Sequence, residues 1–262
     1  MYRQKIYRCG KAVYVEKTQT RVYRKGEVRE KKRKPTPEEK RKENERQTER
    51  RLKMKIAVNF GSDDYWTTLT YKKGERPSVE EAKKQLRKFL NKMRDEYRKL
   101  GYELKYVIVT EYENKSIHHH AIINGIPDTP KLIRRHWSHG RPDFKLLDES
   151  GEYSELASYI VKETQRSAEM GTCKGKQRYS CSRNLIIPEP EIKNVSAKTF
   201  RKEPKPWKGY EILKESLVQG VSSVTGYMYQ YYTMIRRDDE GKTHCKVRQK
   251  KNGNSDQREP GR

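Results

Sequence analysis

The segment from Leu104 to Asn124 constrains the fold more than any other part of the chain. Two runs rich in β-branched and aromatic residues, Leu104-Lys105-Tyr106-Val107-Ile108-Val109-Thr110-Glu111-Tyr112 and Ile117-His118-His119-His120-Ala121-Ile122-Ile123-Asn124, flank the polar stretch Glu113-Asn114-Lys115-Ser116. That pattern reads as two strands and a short turn, an antiparallel hairpin. With residues 113–116 as the turn, Tyr112 lies opposite Ile117, Glu111 opposite His118 and Val109 opposite His120. Side chains alternate between faces, so His118, His120 and Glu111 share one face and His119 points to the other. Two imidazoles and a carboxylate on one sheet face form a facial set for a divalent metal ion, with positions left open for a phosphate oxygen. A one-residue slip would exchange Glu111 for Thr110 or Tyr112, so Glu111 depends on the register more than the histidines do. The competing explanation is that clustered histidines in a basic protein only donate to phosphates.

The surrounding signals alternate in type. Tyr65-Trp66-Thr67-Thr68-Leu69-Thr70-Tyr71 reads as a strand bounded by Gly61-Ser62-Asp63 and Lys73-Gly74. Ser78-Val79-Glu80-Glu81 is a capping box, and Val79, Ala82, Leu86, Phe89, Leu90, Met93, Tyr97 and Leu100 then recur at spacings of three and four until Gly101. After the hairpin, a short helix is expected from Asp128-Thr129-Pro130 to Trp137, a weak strand at Phe144 to Leu147, and a helix from Tyr153 to about Thr164. This order argues an α+β domain with a mostly antiparallel sheet. Pro188 to Pro206 is charged and irregular, and Val224 to Ile235 recovers strand character. In it Tyr227, Tyr229 and Tyr231 alternate, either as a core stripe or as a face on which bases stack.

Charge points to the partner. Lys+Arg 61 against Asp+Glu 36 leaves 61 − 36 = +25, which calls for a polyanion, nucleic acid above all. Residues 1–60 carry 21 − 8 = +13 of it. Lys31-Lys32-Arg33-Lys34 is a basic run, and Thr36-Pro37-Glu38-Glu39 a second capping box that opens a charged helix expected to touch the domain only near Leu52 and Ile56. We therefore expect a basic arm and charged helix over 1–60, a catalytic domain over 61–190, a C-terminal extension with a Tyr-rich strand over 191–250, and a disordered tail over 251–262. No run of about 18 apolar residues occurs, and MYRQKIYRCGK lacks the apolar stretch of a signal peptide, so no membrane partner and a cytoplasmic place in a bacterial host are expected. Cys9, Cys173, Cys181 and Cys245 are too scattered for a CxxC metal site or a disulfide framework.

A nucleophile other than metal-activated water would be a tyrosine. Tyr-x-x-Lys occurs five times, at Tyr2, Tyr14, Tyr102, Tyr112 and Tyr159, so the spacing alone decides nothing. Only Tyr159 lies C-terminal to the hairpin on an expected helix, where Tyr159 and Lys162 stand one turn apart.

Three segments in order, Trp66-Thr67-Thr68-Leu69-Thr70-Tyr71, the His118-x-His120 pair following Glu111, and Ala157-Ser158-Tyr159-Ile160-Val161-Lys162, resemble the motifs of HUH endonucleases, and more closely those of rolling-circle replication initiators of phages and plasmids. The likeness runs over about residues 30–190 and includes Arg183-Asn184-Leu185; the middle position of the His pair, usually bulky and apolar, is here His119. The resemblance implies a central antiparallel sheet flanked by helices in a ferredoxin-like or RRM-like topology. It implies a nickase of single-stranded or hairpin origin DNA that works through a 5′-phosphotyrosyl link at Tyr159. His118, His120 and Glu111 would hold Mg²⁺ or Mn²⁺, Lys162 would orient phosphate, and Lys31, Lys32, Arg33, Lys34 and Arg183 would contact DNA. Gly241-Lys242-Thr243 lacks the glycine a P-loop needs five positions earlier, where Arg236 stands, so unwinding and extension would fall to a host helicase and polymerase. An HUH transposase or relaxase, and a non-catalytic nucleic-acid-binding protein, are the alternatives.

Overall fold

In chain order the elements are β1 (Tyr2–Cys9), β2 (Ala12–Gln19), α1 (Pro37–Asn59), β3 (Tyr65–Leu69), α2 (Val79–Lys99), β4 (Tyr106–Glu113), β5 (Ser116–Ile123), α3 (Thr129–His136), β6 (Pro142–Leu146), α4 (Ser154–Glu169), β7 (Ser180–Cys181), β8 (Glu191–Val195), β9 (Tyr210–Ile212), β10 (Val218–Val221) and β11 (Met228–Arg236). They come from a computed structural model that describes residues 1–20, 34–75, 77–113, 116–169, 179–197, 199–222 and 225–237. The strands form two antiparallel sheets flanked by four helices, the α+β class expected and an architecture consistent with the HUH endonuclease-like fold. The central sheet has the order β6-β3-β5-β4-β7; the terminal sheet has the order β10-β11-β2-β1-β8, with β9 also on β11.

Both long helices start where the capping boxes put them. Thr36 and Ser78 accept from the backbone N–H of Glu39 and Glu81, whose carboxylates accept in return from the N–H of the caps. In α2, Ala82, Phe89, Leu90, Met93 and Tyr97 are buried against Leu69, Ile108, Ala121 and Ile123 of the central sheet. Leu100, expected on that stripe, caps the helix and is 52% exposed. The opposite face of the sheet, with Val107, Val109 and Ile122, shares a core with α4 and the last turns of α1. The charged first half of α1 contributes no buried side chain; Leu52, Met54, Ile56 and Ala57 do all its packing.

The N-terminus differs from the expected arm. Tyr2–Cys9 and Ala12–Gln19 pair fully with each other, and β2 then pairs with β11 and β1 with β8. Residues 191–236 are therefore built into the same sheet as the N-terminal hairpin, and are no separate extension. The physical reason is period two: Arg3, Lys5 and Arg8 lie between residues that the sheet buries, such as Ile6 and Cys9, so a high mean charge coexists with a packed strand. Residues 21–33, which include Lys31, Lys32 and Arg33, and the expected tail at 251–262 lie outside the described residues.

Two close approaches lock the central sheet. A Cβ on Gly125 would come 2.0 Å from the Asp63 carbonyl oxygen, and one on Gly140 would come 2.2 Å from that of Thr70, which also accepts from Trp137 Nε1 at 2.9 Å. Gly140→Ala is expected to cost about 1–3 kcal/mol of stability, because backbone rather than a flexible side chain must move; a urea denaturation midpoint equal to the parent's would contradict this close packing.

Candidate active site

The β4–β5 register puts Glu111 opposite His118, Val109 opposite His120 and Tyr112 opposite Ile117. Ladder pairing continues to Glu113 and Ser116, so the connection is shorter than the four residues expected, by one residue on each strand, and the register is unchanged. The shared face of Glu111, His118 and His120 looks toward α4, which delivers Tyr159 from the other side.

Three of the expected residues meet. The Tyr159 hydroxyl donates to Glu111 Oε2 at 2.8 Å, and His120 Nε2 lies 2.8 Å from the same oxygen. Around them, Trp66 stacks on the His120 ring, with centroids 5.4 Å apart and planes 9° from parallel. Tyr159 stands edge-on to both, 5.3 Å from His120 and 5.9 Å from Trp66. Thr68, directly opposite His120 across β3–β5, puts Oγ1 3.2 Å from Nδ1. With the imidazole neutral, Nε2–H donates to Glu111 and Nδ1 accepts from Thr68. Burial pushes the His120 imidazole below its ordinary value, while the Glu111 carboxylate pulls the other way.

His119 occupies the opposite face and is fully buried. Its nitrogens are both partnered, Nδ1 with Thr110 Oγ1 at 2.9 Å and Nε2 with Tyr71 Oη at 2.9 Å, and its ring meets Trp137 edge-on at 5.6 Å. Burial, aided by neighbouring imidazoles, pushes its pKa down to about 3, so it is a neutral, hydrogen-bonded core group. This is how a polar residue takes a position at which an apolar one is usual.

The remaining expected residues stand apart from the cluster. Lys162 is exposed and lines the groove between α4 and α1 with Lys42, Glu45, Arg46 and Glu49. Lys34 and Arg183 are exposed, ahead of α1 and just after β7 respectively. His118 is half-buried beside Glu111, with no hydrogen bond tying it to the cluster among the described residues. The donor types and their common face suit a divalent ion, and Thr68 holds the rear nitrogen of His120 as a partner beyond a ligand would. The side chains do not form a closed ligand set: among the described residues no three His, Cys, Asp or Glu groups converge tightly enough to hold a metal ion, since Glu111 Oε2 is engaged by His120 and Tyr159.

Trp66 and Thr68 are the site residues that the sequence did not single out. Their strand was legible, but its pairing with β5 was not, since Thr68 and His120 stand 52 positions apart.

Residues 64–164 match the family model of the replication-associated protein ORF2. The matched segment spans β3 to α4, is under half of the chain, and contains every residue of the cluster. It supports a replication-initiator role and an association with DNA. No curated protein and no solved structure matches the chain. No helix among the described residues is long and apolar enough to cross a membrane.

The two faces of β5 make a testable contrast. His119→Ala is expected to lower the unfolding free energy by about 2–4 kcal/mol, from the cavity and the stranded hydroxyl partners. His118→Ala is expected to lower it by less than about 1 kcal/mol. Chemical denaturation monitored by tryptophan fluorescence checks both, and the reverse ranking would mean that the faces are misassigned.

Proposed function

We propose that the chain is a replication initiator that nicks and rejoins single-stranded or hairpin origin DNA, with Tyr159 as nucleophile, and so starts rolling-circle replication. The observation that carries this reading is the shared Glu111 Oε2, which holds the Tyr159 phenol and the His120 imidazole at 2.8 Å each, inside the segment matched to replication-associated proteins.

The chemistry follows from those contacts. An ordinary phenol has a pKa near about 10, so it attacks phosphorus well only if its proton has somewhere to go. Glu111 Oε2 already accepts that hydrogen bond and is within reach of the proton. As the Tyr159 oxygen bonds to phosphorus, the bond from phosphorus to the 3′-oxygen breaks. The phenolic proton passes to Glu111, and the departing 3′-oxygen takes a proton from water to become a free 3′-hydroxyl. The 5′-phosphate stays on the tyrosine, and because one phosphodiester has replaced another, the reverse attack rejoins the strand. Mg²⁺ or Mn²⁺, for which His118, His120 and Glu111 are the proposed ligands, would supply Lewis acidity at the scissile phosphate. Trp66 and Thr68 fix the His120 ring, and Trp66 also limits where the Tyr159 ring can swing. The free 3′-hydroxyl is the end that a host polymerase would extend behind a host helicase.

Incubation with 5′- and 3′-labelled single-stranded origin DNA and Mn²⁺ should yield a denaturation-resistant protein adduct on the 5′-phosphate side. Tyr159→Phe is expected to abolish the adduct, Glu111→Gln to slow nicking by about 10²–10⁴-fold, and EDTA to stop it. An adduct from Tyr159→Phe equal to the parent's would overturn the nucleophile, and a mobility shift with no cleavage under any condition would make the chain a binding module.

A further inference from the structure

We infer that the terminal sheet carries a second site for single-stranded DNA, outside the matched segment, on the face that bears Tyr229, Arg3 and Lys5. Pairing puts Tyr231, Glu16 and Lys5 in one row across β11, β2 and β1, and Tyr229, Thr18 and Arg3 in the next, all on one face. Helix α1 shares a core with this face only through its last turns, where Ile56, Ala57 and Phe60 join Cys9, Ala12 and Ile235. Beyond that core the face is open at both edges: Val218 on β10 is 48% exposed and Ile192 on β8 is 54% exposed.

Three features make this surface suited to a nucleic-acid strand. First, Tyr229 reclines on the sheet. Its neighbour across the pair is Gly220, and a Cβ there would come 3.2 Å from Tyr229 Oη and 3.5 Å from Cζ. Only the missing side chain lets the ring lie over β10 with a π-face turned outward. Second, the aromatic surface is continuous and charged at its rim. Tyr229 and Tyr231 lie 5.2 Å apart at 30°, and the Arg50 guanidinium covers Tyr231 at 3.7 Å, offering a flat cation on which a base can stack in turn. Third, the charge is complementary to a phosphate backbone. Glu16 is the one carboxylate in the two rows and is neutralised by Arg50 at 3.3 Å, which leaves Arg3, Lys5 and Arg51 as the surrounding cations. A stacking surface with a basic margin and no built hydrogen-bond readout fits an unpaired strand with little sequence preference. It does not fit a duplex, whose bases present no π-face.

Fluorescence anisotropy of the full chain with a labelled oligothymidylate in EDTA tests this, because binding is read with no cleavage and so fails independently of the Tyr159 reading. Tyr229→Ala is expected to weaken binding about tenfold, Tyr229→Phe to restore it, and Lys5→Ala to reduce the slope of log affinity against log salt by about 0.7. Parent-like binding by Tyr229→Ala with an unchanged melting curve would overturn the site, as would equal competition by a duplex or stronger competition by oligouridylate. If Tyr229→Ala does not fold, photocrosslinking of the parent chain to a 4-thiothymidine oligonucleotide decides: crosslinks on β11 or β1 support the site, and crosslinks confined to residues 64–164 overturn it.

Discussion

The pairing of Glu111 with His118 is the constraint on which the rest of the site depends. Because a strand changes face at every residue, this one alignment simultaneously assigns His118 and His120 to the α4 side, sends His119 into the opposite core, and sets Glu111 where Tyr159 can reach it. A slip by one residue would bury two imidazoles with no partners and leave Thr110 and Tyr71 without the ring that now joins them. The satisfied hydrogen bonds of His119 thus anchor the register from behind, while its neighbours are left to chemistry in front. A leucine at this position would bury more apolar surface, but it would not discriminate between registers so strongly.

The same economy appears around His120. One imidazole is stacked by Trp66, bonded by Thr68 at the back and by Glu111 at the front, and approached edge-on by Tyr159. Each contact removes a degree of freedom from the ring. What results is a preorganised corner in which a phenol, a carboxylate and an imidazole are fixed by two strands and a helix rather than by loops, so that little reorganisation is needed when a phosphate arrives.

Much of this was legible in the sequence because it is local. The capping boxes at Thr36 and Ser78, the apolar spacing of α2 and the alternation through the His hairpin all act within a few residues, and each element appears in its place. What was not legible is nonlocal. Nothing near Trp66 or Thr68 announces that β3 lies against β5, and nothing near Lys162 announces that α1 lies beside α4 and draws that face into a groove of charges. The N-terminal hairpin was hidden for a different reason: averaging charge over residues 1–60 merged two strands whose polar and buried positions alternate with a helix whose first half is solvated.

The terminal sheet has a consequence for how the molecule is made. Lys17 on β2 bonds to Gln230 on β11, 213 positions later. At about 5–20 residues per second on the ribosome, the hairpin waits roughly 10–40 s for that neighbour. Throughout that interval its edge is an unpaired strand, while the central sheet and its helices can already close. The last strand to emerge therefore acts as a clasp: its arrival joins the two ends of the chain around a finished catalytic layer and removes the exposed edge at the same moment.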